Sequence, residues 1–217
     1  MSMSVESIVI ATDLNKTFKA EQKGLDDVQA LQGINMQIKT GQLTALVGPD
    51  GAGKTTFLRL IAGLYEPTTG SLKVLGMDVA KETQSVQDRI SYMPQKFGLY
   101  EDLSIQENLD LYADLHGVPM DVRNERFARL LKITDLARFT ERPAGKLSGG
   151  MKQKLGLACT LVRSPELLLL DEPSVGVDPL SRRDLWIIIE QLVREESLSV
   201  ILSTAYMDEA ERCHQVY

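Results

Sequence analysis

A glycine-rich segment of eight residues constrains the fold of this chain more than any other feature of its sequence. It matches the pattern G-x-x-x-x-G-K-[ST], and its residues are Gly48, Pro49, Asp50, Gly51, Ala52, Gly53, Lys54 and Thr55. The apolar run Leu43–Val47 before it is typical of a buried strand, and apolar side chains at helical spacing over residues 54–64 predict a helix after it. A turn between strand and helix with this pattern is a P-loop, whose backbone wraps around phosphate. A glycine-rich hairpin without a chemical role is the alternative, and the coincidence of strand, loop, Lys-Thr pair and helix argues against it.

The residue types of this loop each have a physical reason. Gly48, Gly51 and Gly53 let the backbone turn its N–H groups toward phosphate oxygens, and the N-terminus of the following helix adds its positive dipole end. We expect the Lys54 ammonium to neutralise charge on the β- and γ-phosphates of a nucleotide. We expect the Thr55 hydroxyl to take one position on Mg²⁺, and Thr56 belongs to the same predicted site. The loop therefore predicts binding of a nucleotide with Mg²⁺.

The composition excludes several classes of protein. The 217 residues suffice for one large domain or two small ones, and a content of 43% hydrophobic, 25% charged and 6% aromatic residues is typical of globular proteins. The longest uninterrupted aliphatic run, residues 167–170, is far shorter than the ~20 residues that span a bilayer as a helix. Residues 1–6 contain an acid and no basic segment typical of a secretory signal. We therefore expect a globular chain without a membrane-spanning segment.

Charge and cysteine content indicate the kind of ligand and compartment. The formal net charge of −6 opposes a general nucleic-acid-binding role, because a phosphate backbone requires a concentrated basic surface. A small anionic ligand remains compatible with it, since backbone amides and a single lysine can hold phosphate whatever the net charge. Cys159 and Cys213 both lie in stretches whose pattern predicts helix, and we expect two reduced thiols in a cytosolic protein.

Short apolar runs alternate along the chain with segments of helical period, the pattern of parallel strands joined by helices. We therefore predict an α/β fold, with further strands at residues 72–75, 90–93, 167–170 and 199–203. The run 167–170 is leucine throughout, which predicts a strand buried on both faces. Helices are predicted at 149–162 and after Asp178, which would be an N-cap with Pro179 at the first helical position.

The middle of the chain differs in character from the rest. Ser104 and Glu107 have the spacing of a capping box, and the helix that they begin is followed by a second one after residues 117–119. We expect these helices to form a subdomain at about residues 97–145, inserted into the α/β core. No internal repeat or low-complexity linker is recognisable, so that a single domain with two lobes over residues 1–217 fits best.

Two acidic residues follow the predicted strand 167–170. Asp171 and Glu172 would emerge at the carboxyl end of a parallel strand, where open α/β sheets bind their ligands. Asp171 is then expected to support Mg²⁺ through its water shell, and Glu172 to polarise an attacking water. The alternative is that these acids merely cap a turn or a helix. The presence of a P-loop in the same chain favours the functional interpretation.

Three motifs, in this order and with helices between them, resemble the ATPase domains of ABC transporters: the P-loop at 48–55, Leu147-Ser148-Gly149-Gly150, and Leu170-Asp171-Glu172. The Leu-Ser-Gly-Gly signature is peculiar to that family, and the resemblance covers nearly the whole chain. It implies a P-loop core with an antiparallel β lobe and an inserted α-helical subdomain. It also implies ATP and Mg²⁺ as cofactors, and a second ABC ATPase domain as a partner, with two ATP molecules enclosed between the two domains.

In that arrangement the P-loop of one domain and the signature of the other hold each ATP. Ser148 as an N-cap, followed by Gly149 and Gly150, would present free N–H groups and a helix dipole to a γ-phosphate. Position 151 is methionine where many family members have glutamine, a variation that resembles the export-type branches. It removes one contact to the ribose and leaves the phosphate cradle intact.

Three further positions match the family one at a time. Gln95 resembles the glutamine that reaches Mg²⁺ and the attacking water; by itself it would be a polar loop residue. Phe18 resembles the aromatic residue that stacks on adenine, although a lone phenylalanine near a strand end more often belongs to a core. Asp178 resembles an aspartate that communicates across the domain dimer, and its predicted role as an N-cap is compatible with that one.

One position departs from the family pattern. The family places a histidine that contacts the γ-phosphate at position 205, where this chain has Ala205. Alanine can neither contact phosphate nor orient water, so we expect a site that binds ATP well and hydrolyses it poorly. The chain's own histidines, His116 and His214, lie elsewhere in the pattern and are expected at the surface, without a metal or a catalytic role.

Residues 92–103 and 145–155 resemble bacterial exporters with tandem ATPase domains, and residues 213–217 resemble the beginning of a further strand. We therefore expect part of a longer tandem chain from a drug- or cation-export system. The resemblance implies integral membrane permease subunits as partners, no nucleic acid, and a location on the cytoplasmic face of the cell membrane. Two alternatives stay open: a tandem ABC ATPase acting as a conformational switch on ribosomes or DNA, and a regulatory ATP-binding module without meaningful turnover.

Overall fold

The fold contains two sheets and seven α-helices in the part of the chain that the structure, a computed structural model, describes: residues 7–20 and 26–217. The strands are β1 (Ser7–Phe18), β2 (Val28–Lys39), β3 (Leu43–Val47), β4 (Thr69–Val74), β5 (Met77–Asp78), β6 (Ile90–Met93), β7 (Leu167–Asp171), β8 (Ser199–Thr204) and β9 (Gln215–Val216). The helices are α1 (Lys54–Ile61), α2 (Thr83–Gln87), α3 (Ile105–Leu115), α4 (Met120–Ile133), α5 (Gly149–Leu161), α6 (Pro179–Glu196) and α7 (Met207–Ala210).

The central sheet has five parallel strands in the order β6-β7-β8-β3-β9. Its strand β7 is buried along its whole length, as the leucine run predicts. Leu168 and Leu170 belong to one hydrophobic cluster, and the alternate side chains, Leu167 and Leu169, belong to another. The sheet therefore separates two cores, and the polar residues that follow its strands all emerge at its carboxyl edge.

A second, antiparallel sheet of four strands has the order β2-β1-β4-β5. Between β6 and α5 the chain is helical, and it includes α3, α4 and two short 3₁₀ turns. Ser104 caps α3 in the predicted capping box, in which Ser104 Oγ accepts from the Glu107 amide and the Glu107 carboxylate accepts from the Ser104 amide. The α/β P-loop fold with an antiparallel lobe and inserted helices is therefore confirmed.

Three local predictions are wrong. The strand predicted at residues 72–75 is β4, which lies in the antiparallel sheet, begins at Thr69 and ends before Leu75, where the backbone takes a positive φ of 53°. Helix α1 ends at Ile61 rather than at residue 64, because Gly63 adopts a positive φ of 65° and terminates the helix, and Leu64 is therefore 53% exposed. Cys213 lies outside any helix, because α7 has only four residues and the chain then turns to join the sheet, with the His214 amide donating to the Leu43 carbonyl at 2.8 Å. Both cysteines are free thiols.

His116 and His214 are exposed, as expected. A search of residues 7–20 and 26–217 finds no helix that is both long enough and apolar enough to cross a bilayer.

Candidate functional site

The P-loop connects β3 to α1 through two glycines in the left-handed region. Gly51 has a φ of 80° and Gly53 one of 93°, conformations that disfavour any residue with a Cβ. At Gly53 a Cβ would also come within 2.6 Å of the Ala30 carbonyl oxygen, so this glycine is required for close packing as well. Gly53 is the N-cap of α1 and offers no side-chain cap, which leaves amides of the first turn free for a ligand.

The ammonium of Lys54 lies inside the loop. It donates to the carbonyl oxygens of Gly48 at 2.7 Å and Pro49 at 3.0 Å, and it is 3.4 Å from Glu172 Oε1. The Lys54 and Glu172 side chains are only 7% and 12% exposed, so this ion pair is poorly screened by solvent. The Lys54 ammonium therefore lies against the backbone of its own P-loop.

Asp171 ends β7 and is 2% exposed, yet its carboxylate is fully engaged by hydroxyl groups. Its Oδ1 accepts from Thr55 Oγ1 at 2.9 Å and from Ser203 Oγ at 2.8 Å, and its Oδ2 accepts from the Tyr92 hydroxyl at 3.0 Å. Because Thr55 gives its proton to Asp171, the lone pairs of its oxygen are free to face a cation. The predicted pair of Mg²⁺-side residues is thus in direct contact.

Sequence reasoning missed Tyr92 and Ser203. Both lie in strands next to β7, since Ser203 pairs with Asp171 in β8 and Tyr92 pairs with Leu169 in β6. The only signal in the sequence is a polar side chain near the end of an otherwise apolar strand. That signal becomes informative only when the strand order is known.

Glu172 is the first residue after β7 and adopts a left-handed conformation with a φ of 48°. Its amide donates to Ser203 Oγ at 2.9 Å, and its Oε2 accepts from Gln95 Nε2 at 2.8 Å. Left-handed backbone at a residue other than glycine is uncommon, and here the Ser203 contact holds it. The result is a carboxylate placed between Gln95 and Lys54.

The donors gathered here fit Mg²⁺. The hydroxyl of Thr55, the carboxylate of Asp171 and the amide oxygen of Gln95 are hard oxygen ligands of the kind that Mg²⁺ prefers. In the described ranges no group of three or more His, Cys, Asp and Glu side chains could hold a metal by itself. Mg²⁺ at nucleotide sites is generally bound by one or two protein oxygens together with water and phosphate oxygens.

A cavity of about 490 Å³ joins the predicted base-binding and phosphate-binding residues. Residues 28–30, residues 50–56, Phe18, Gln95 and Glu172 line it. Phe18 is the last residue of β1; its ring packs edge-on against Tyr65 with centroids 5.2 Å apart, and the Lys16 ammonium lies 4.9 Å from the ring centroid. Stacking of adenine on Phe18 stays a prediction, for which this placement at the cavity wall is suitable.

The signature residues lie elsewhere in the domain. Ser148 is the N-cap of α5, where its Oγ accepts from the Met151 amide at 3.2 Å, and neither Ser148, Gly149 nor Gly150 lines the P-loop cavity. A Cβ at Gly150 would collide with the Ser181 side chain, so this glycine lets α5 and α6 approach closely. Ser148 and Gly149 are therefore at an exposed helix N-terminus that does not face their own P-loop cavity.

Asp178 caps α6, as predicted. Its Oδ1 accepts from the amides of Leu180 at 3.1 Å and Ser181 at 3.0 Å. Hydrogen bonds from Ser181, first its side chain and then its backbone, lower the pKa of Asp178 from its ordinary value. Asp178 lies at the exposed start of α6, and its predicted role across a domain dimer stays a prediction.

Ala205 directly follows β8 and is exposed. The preceding carbonyl, that of Thr204, accepts from the amide of Gly48 at 3.4 Å, so the end of β8 adjoins the start of the P-loop. The position is therefore next to the predicted phosphate site, while its methyl group offers no polar atom to a ligand.

Comparisons with known proteins place the sequence among related chains. A family model described as "ABC transporter" matches residues 31–175. "Probable multidrug ABC transporter ATP-binding protein YbhF" of Escherichia coli (strain K12) is 52% identical over 97% of this chain and 36% of its own length. "Nod factor export ATP-binding protein I" of Burkholderia pseudomallei (strain 1710b) is 34% identical over 92% of this chain and 66% of its own length. The chain thus spans about a third of the first of these relatives.

Solved structures show the same architecture. The structure of cbiO1 from Clostridium perfringens, described as part of the ABC transporter complex cbiONQ, superposes with a TM-score of 0.85 and 27% identity, over 97% of this chain and 84% of that one. The ATP-binding cassette MJ0796, as a dimer in a post-hydrolysis state with ADP and Pi, superposes with a TM-score of 0.80 and 26% identity, over 93% and 90% of the two chains. These matches confirm the resemblance predicted from the three motifs.

Proposed function

The chain belongs to the ABC transporter family, in which it is an ATP-binding ATPase domain, and we propose that it drives export through a separate membrane subunit. In this proposal ATP binding joins two such domains and ATP hydrolysis separates them. The observation that carries it is the contact between the P-loop and the end of β7. Thr55 donates a hydrogen bond to Asp171, and the Lys54 ammonium lies beside the Glu172 carboxylate.

The side chains of this site divide the chemistry among themselves. Lys54 and the free amides of the P-loop bind the phosphates, and Thr55 and Gln95, with Asp171 through water, would hold Mg²⁺. When bound, Mg²⁺ supplies charge neutralisation at the phosphates. Glu172 is placed to accept a hydrogen bond from the attacking water and to orient it, while Gln95 fixes the second oxygen of its carboxylate. Phe18 provides an aromatic wall for the base.

A second ATPase domain completes the site in this proposal. The start of α5 at Ser148 and Gly149 is exposed and lies outside the P-loop cavity, so it can reach a nucleotide only in another domain. The dimer described for MJ0796, with its ADP and Pi, supports this arrangement for a chain of the same fold. Asp178, at the exposed start of the neighbouring helix α6, would face the same partner.

The transport assignment relies on relatives of this chain. Two of them are named as a multidrug transporter protein and a Nod factor export protein, and cbiO1 is described as part of a transporter complex. These names favour an export motor on the cytoplasmic face of the membrane over a switch acting on ribosomes or DNA. The net charge of −6 agrees with that choice.

A groove beside the site is suitable for docking the membrane subunit. It has a volume of about 380 Å³ and lies where α1, β6 and the inserted helix α3 meet, with Leu64, Phe97 and Tyr112 among its lining residues and Arg163 and His116 beside them. Leu64 is 53% exposed, so this groove leaves a large aliphatic side chain in contact with solvent. Phe97, which lines the groove, follows Gln95 of the nucleotide site by two residues in the chain.

Removal of the Lys54 ammonium tests the nucleotide site. In Lys54→Ala, phosphate charge would stay uncompensated, and the loss of a charge-assisted contact of ~1.5–3 kcal/mol should weaken ATP binding at least about tenfold. Titration calorimetry with ATP checks this. Lys81→Ala is the matched control, because Lys81 is an exposed lysine outside the cavity. If Lys54→Ala bound ATP as tightly as the parent, the P-loop assignment would be wrong.

A charge placed in the groove tests docking. In Leu64→Asp, a carboxylate would be buried against the membrane subunit without a designed partner, and binding to that subunit should weaken by about tenfold or more. Co-purification with the membrane subunit in detergent checks this, and ATP binding should be retained. The control is Met120→Asp, at a residue that is 73% exposed and does not line the groove. Equal recovery of the complex with both variants would contradict docking here.

A further inference from the structure

Tyr92 is a half-buried residue that contacts the metal-side carboxylate. It lies in β6, beside Leu169 of β7, and its hydroxyl donates to Asp171 Oδ2 at 3.0 Å. The other carboxylate oxygen, Oδ1, is already engaged by Thr55 and Ser203. Tyr92 therefore makes the single described hydrogen bond to Oδ2 within residues 7–20 and 26–217.

The carboxylate determines the direction of this hydrogen bond. An ionised carboxylate can only accept, so the Tyr92 hydroxyl gives its one proton to Asp171 Oδ2. A second phenol, that of Tyr65, is engaged differently, because its hydroxyl accepts from Arg59 Nη1 at 3.0 Å.

The Asp171 carboxylate is thereby held at both oxygens. Without the Tyr92 hydroxyl, Oδ2 would be a buried acceptor without that donor, and the two contacts at Oδ1 alone would resist rotation of the carboxylate about its Cβ–Cγ bond. A rotated carboxylate would present a different face to the water shell of a cation beside Thr55. Pre-organisation of this kind is how residues behind a metal ligand affect metal affinity.

We propose that Tyr92 is a positioning residue of the Mg²⁺ site, which fixes the orientation of the Asp171 carboxylate by donating its hydroxyl proton to Oδ2. The inference rests on the proposed function, since it concerns Mg²⁺ bound together with a nucleotide. It adds a residue of β6 to a site otherwise composed of the P-loop, Gln95, the end of β7 and Ser203 of β8. Tyr92 touches neither nucleotide nor water in this role and acts through Asp171.

The test measures metal binding rather than turnover. Mn²⁺ replaces Mg²⁺ as a paramagnetic probe, and its affinity is measured by electron paramagnetic resonance in the full-length protein with ADP, with any second nucleotide site inactivated. Tyr92→Phe keeps the ring and removes only the hydroxyl, and it should weaken Mn²⁺ binding by about 5- to 30-fold. The affinity for ADP in the presence of EDTA should stay within about twofold of the parent, because no contact to nucleotide is lost.

Two further variants make the test specific. Tyr65→Phe removes a phenol hydroxyl that bonds to Arg59 rather than to Asp171, and it should leave Mn²⁺ affinity unchanged. Tyr92→Leu also removes the donor to Oδ2, and it should weaken Mn²⁺ binding in the same direction as Tyr92→Phe. It keeps the proposal testable if Tyr92→Phe does not fold.

The possible outcomes separate this proposal from the proposed function. Mn²⁺ affinity equal to that of the parent in Tyr92→Phe, or in Tyr92→Leu if only that variant folds, would overturn the role of Tyr92 while leaving the ATPase assignment intact. An equal loss of ADP affinity in EDTA would also overturn it, because it would indicate a general structural effect. A parent protein that binds no Mn²⁺ with ADP would overturn both.

Discussion

Glu172→Gln is expected to lower ATP turnover by about 10²- to 10⁴-fold, the usual contribution of a positioned general base. The substitution keeps the size of the side chain and its reach to Gln95, but an amide is a far weaker base than a carboxylate. Lys54 would also lose its nearby negative partner at 3.4 Å. Binding of ATP should therefore be retained or strengthened while hydrolysis is lost.

Steady-state phosphate release and an ATP titration on the same preparation check this expectation. Glu82→Gln is the control, because it makes the same change of charge at an exposed residue outside the cavity. Since the variant would keep its ATP, it should also form an ATP-dependent dimer in gel filtration. Turnover of Glu172→Gln at the parent rate would show that another group activates the water.

The parallel sheet could be predicted because its strands are buried. For β3 and β6 the predicted bounds are those of the structure, and β7 and β8 differ by one residue at one end. Each of these strands is a short apolar run that ends in a turn, and burial on both faces imposes that pattern whatever the neighbours are. The capping residues Ser104 and Asp178 could be predicted for a similar reason, since a helix start requires an acceptor within the same segment.

The apolar pattern predicted part of β4, but the antiparallel arrangement of this second sheet could be inferred only from family resemblance. Strand β1 is 12 residues long, and its pairing with β2 shifts register at several places, so inward and outward side chains do not alternate regularly. Asp13 takes a positive φ of 43° at one of these irregularities. The prediction that helix α1 continues to Leu64 was wrong for a related reason. The spacing of apolar residues shows where they lie in the sequence, but not whether other residues cover them in the fold.

The same distinction applies to the site. The contiguous motifs gave Lys54, Thr55, Asp171 and Glu172, which the structure brings together within one site. Ser203 was missed, although it bonds to both Asp171 and the amide of Glu172, because its relevance depends on β8 lying next to β7. Sequence motifs identify the residues that are expected to contact the ligand. The order of the strands determines which other residues hydrogen-bond to those motif residues.

Ala205→His is expected to raise turnover at the site containing Lys54 by about 10²- to 10³-fold, the usual effect of one preorganised donor to a developing oxyanion. The position follows Thr204, whose carbonyl contacts the Gly48 amide, so an imidazole there would be next to the phosphate end of the P-loop. ATP affinity should change little, because Lys54 and the loop amides already bind the ground state. The expectation depends on two predictions, that hydrolysis in the parent is slow because of Ala205 and that Glu172 orients the water.

The measurement requires an ATP-dependent dimer in which the partner's site has been silenced, since an active second site would hide the gain. Met207→His, two residues further along, is the control, because it adds an imidazole at a side chain that is 66% exposed. Adding Glu172→Gln to Ala205→His should abolish the gain, because a donor to the phosphate cannot replace the group that activates the water. A dimer that closes on ATP but shows no increase in turnover with Ala205→His would mean that another residue already stabilises the γ-phosphate. The alanine at position 205 would then not limit the rate of hydrolysis.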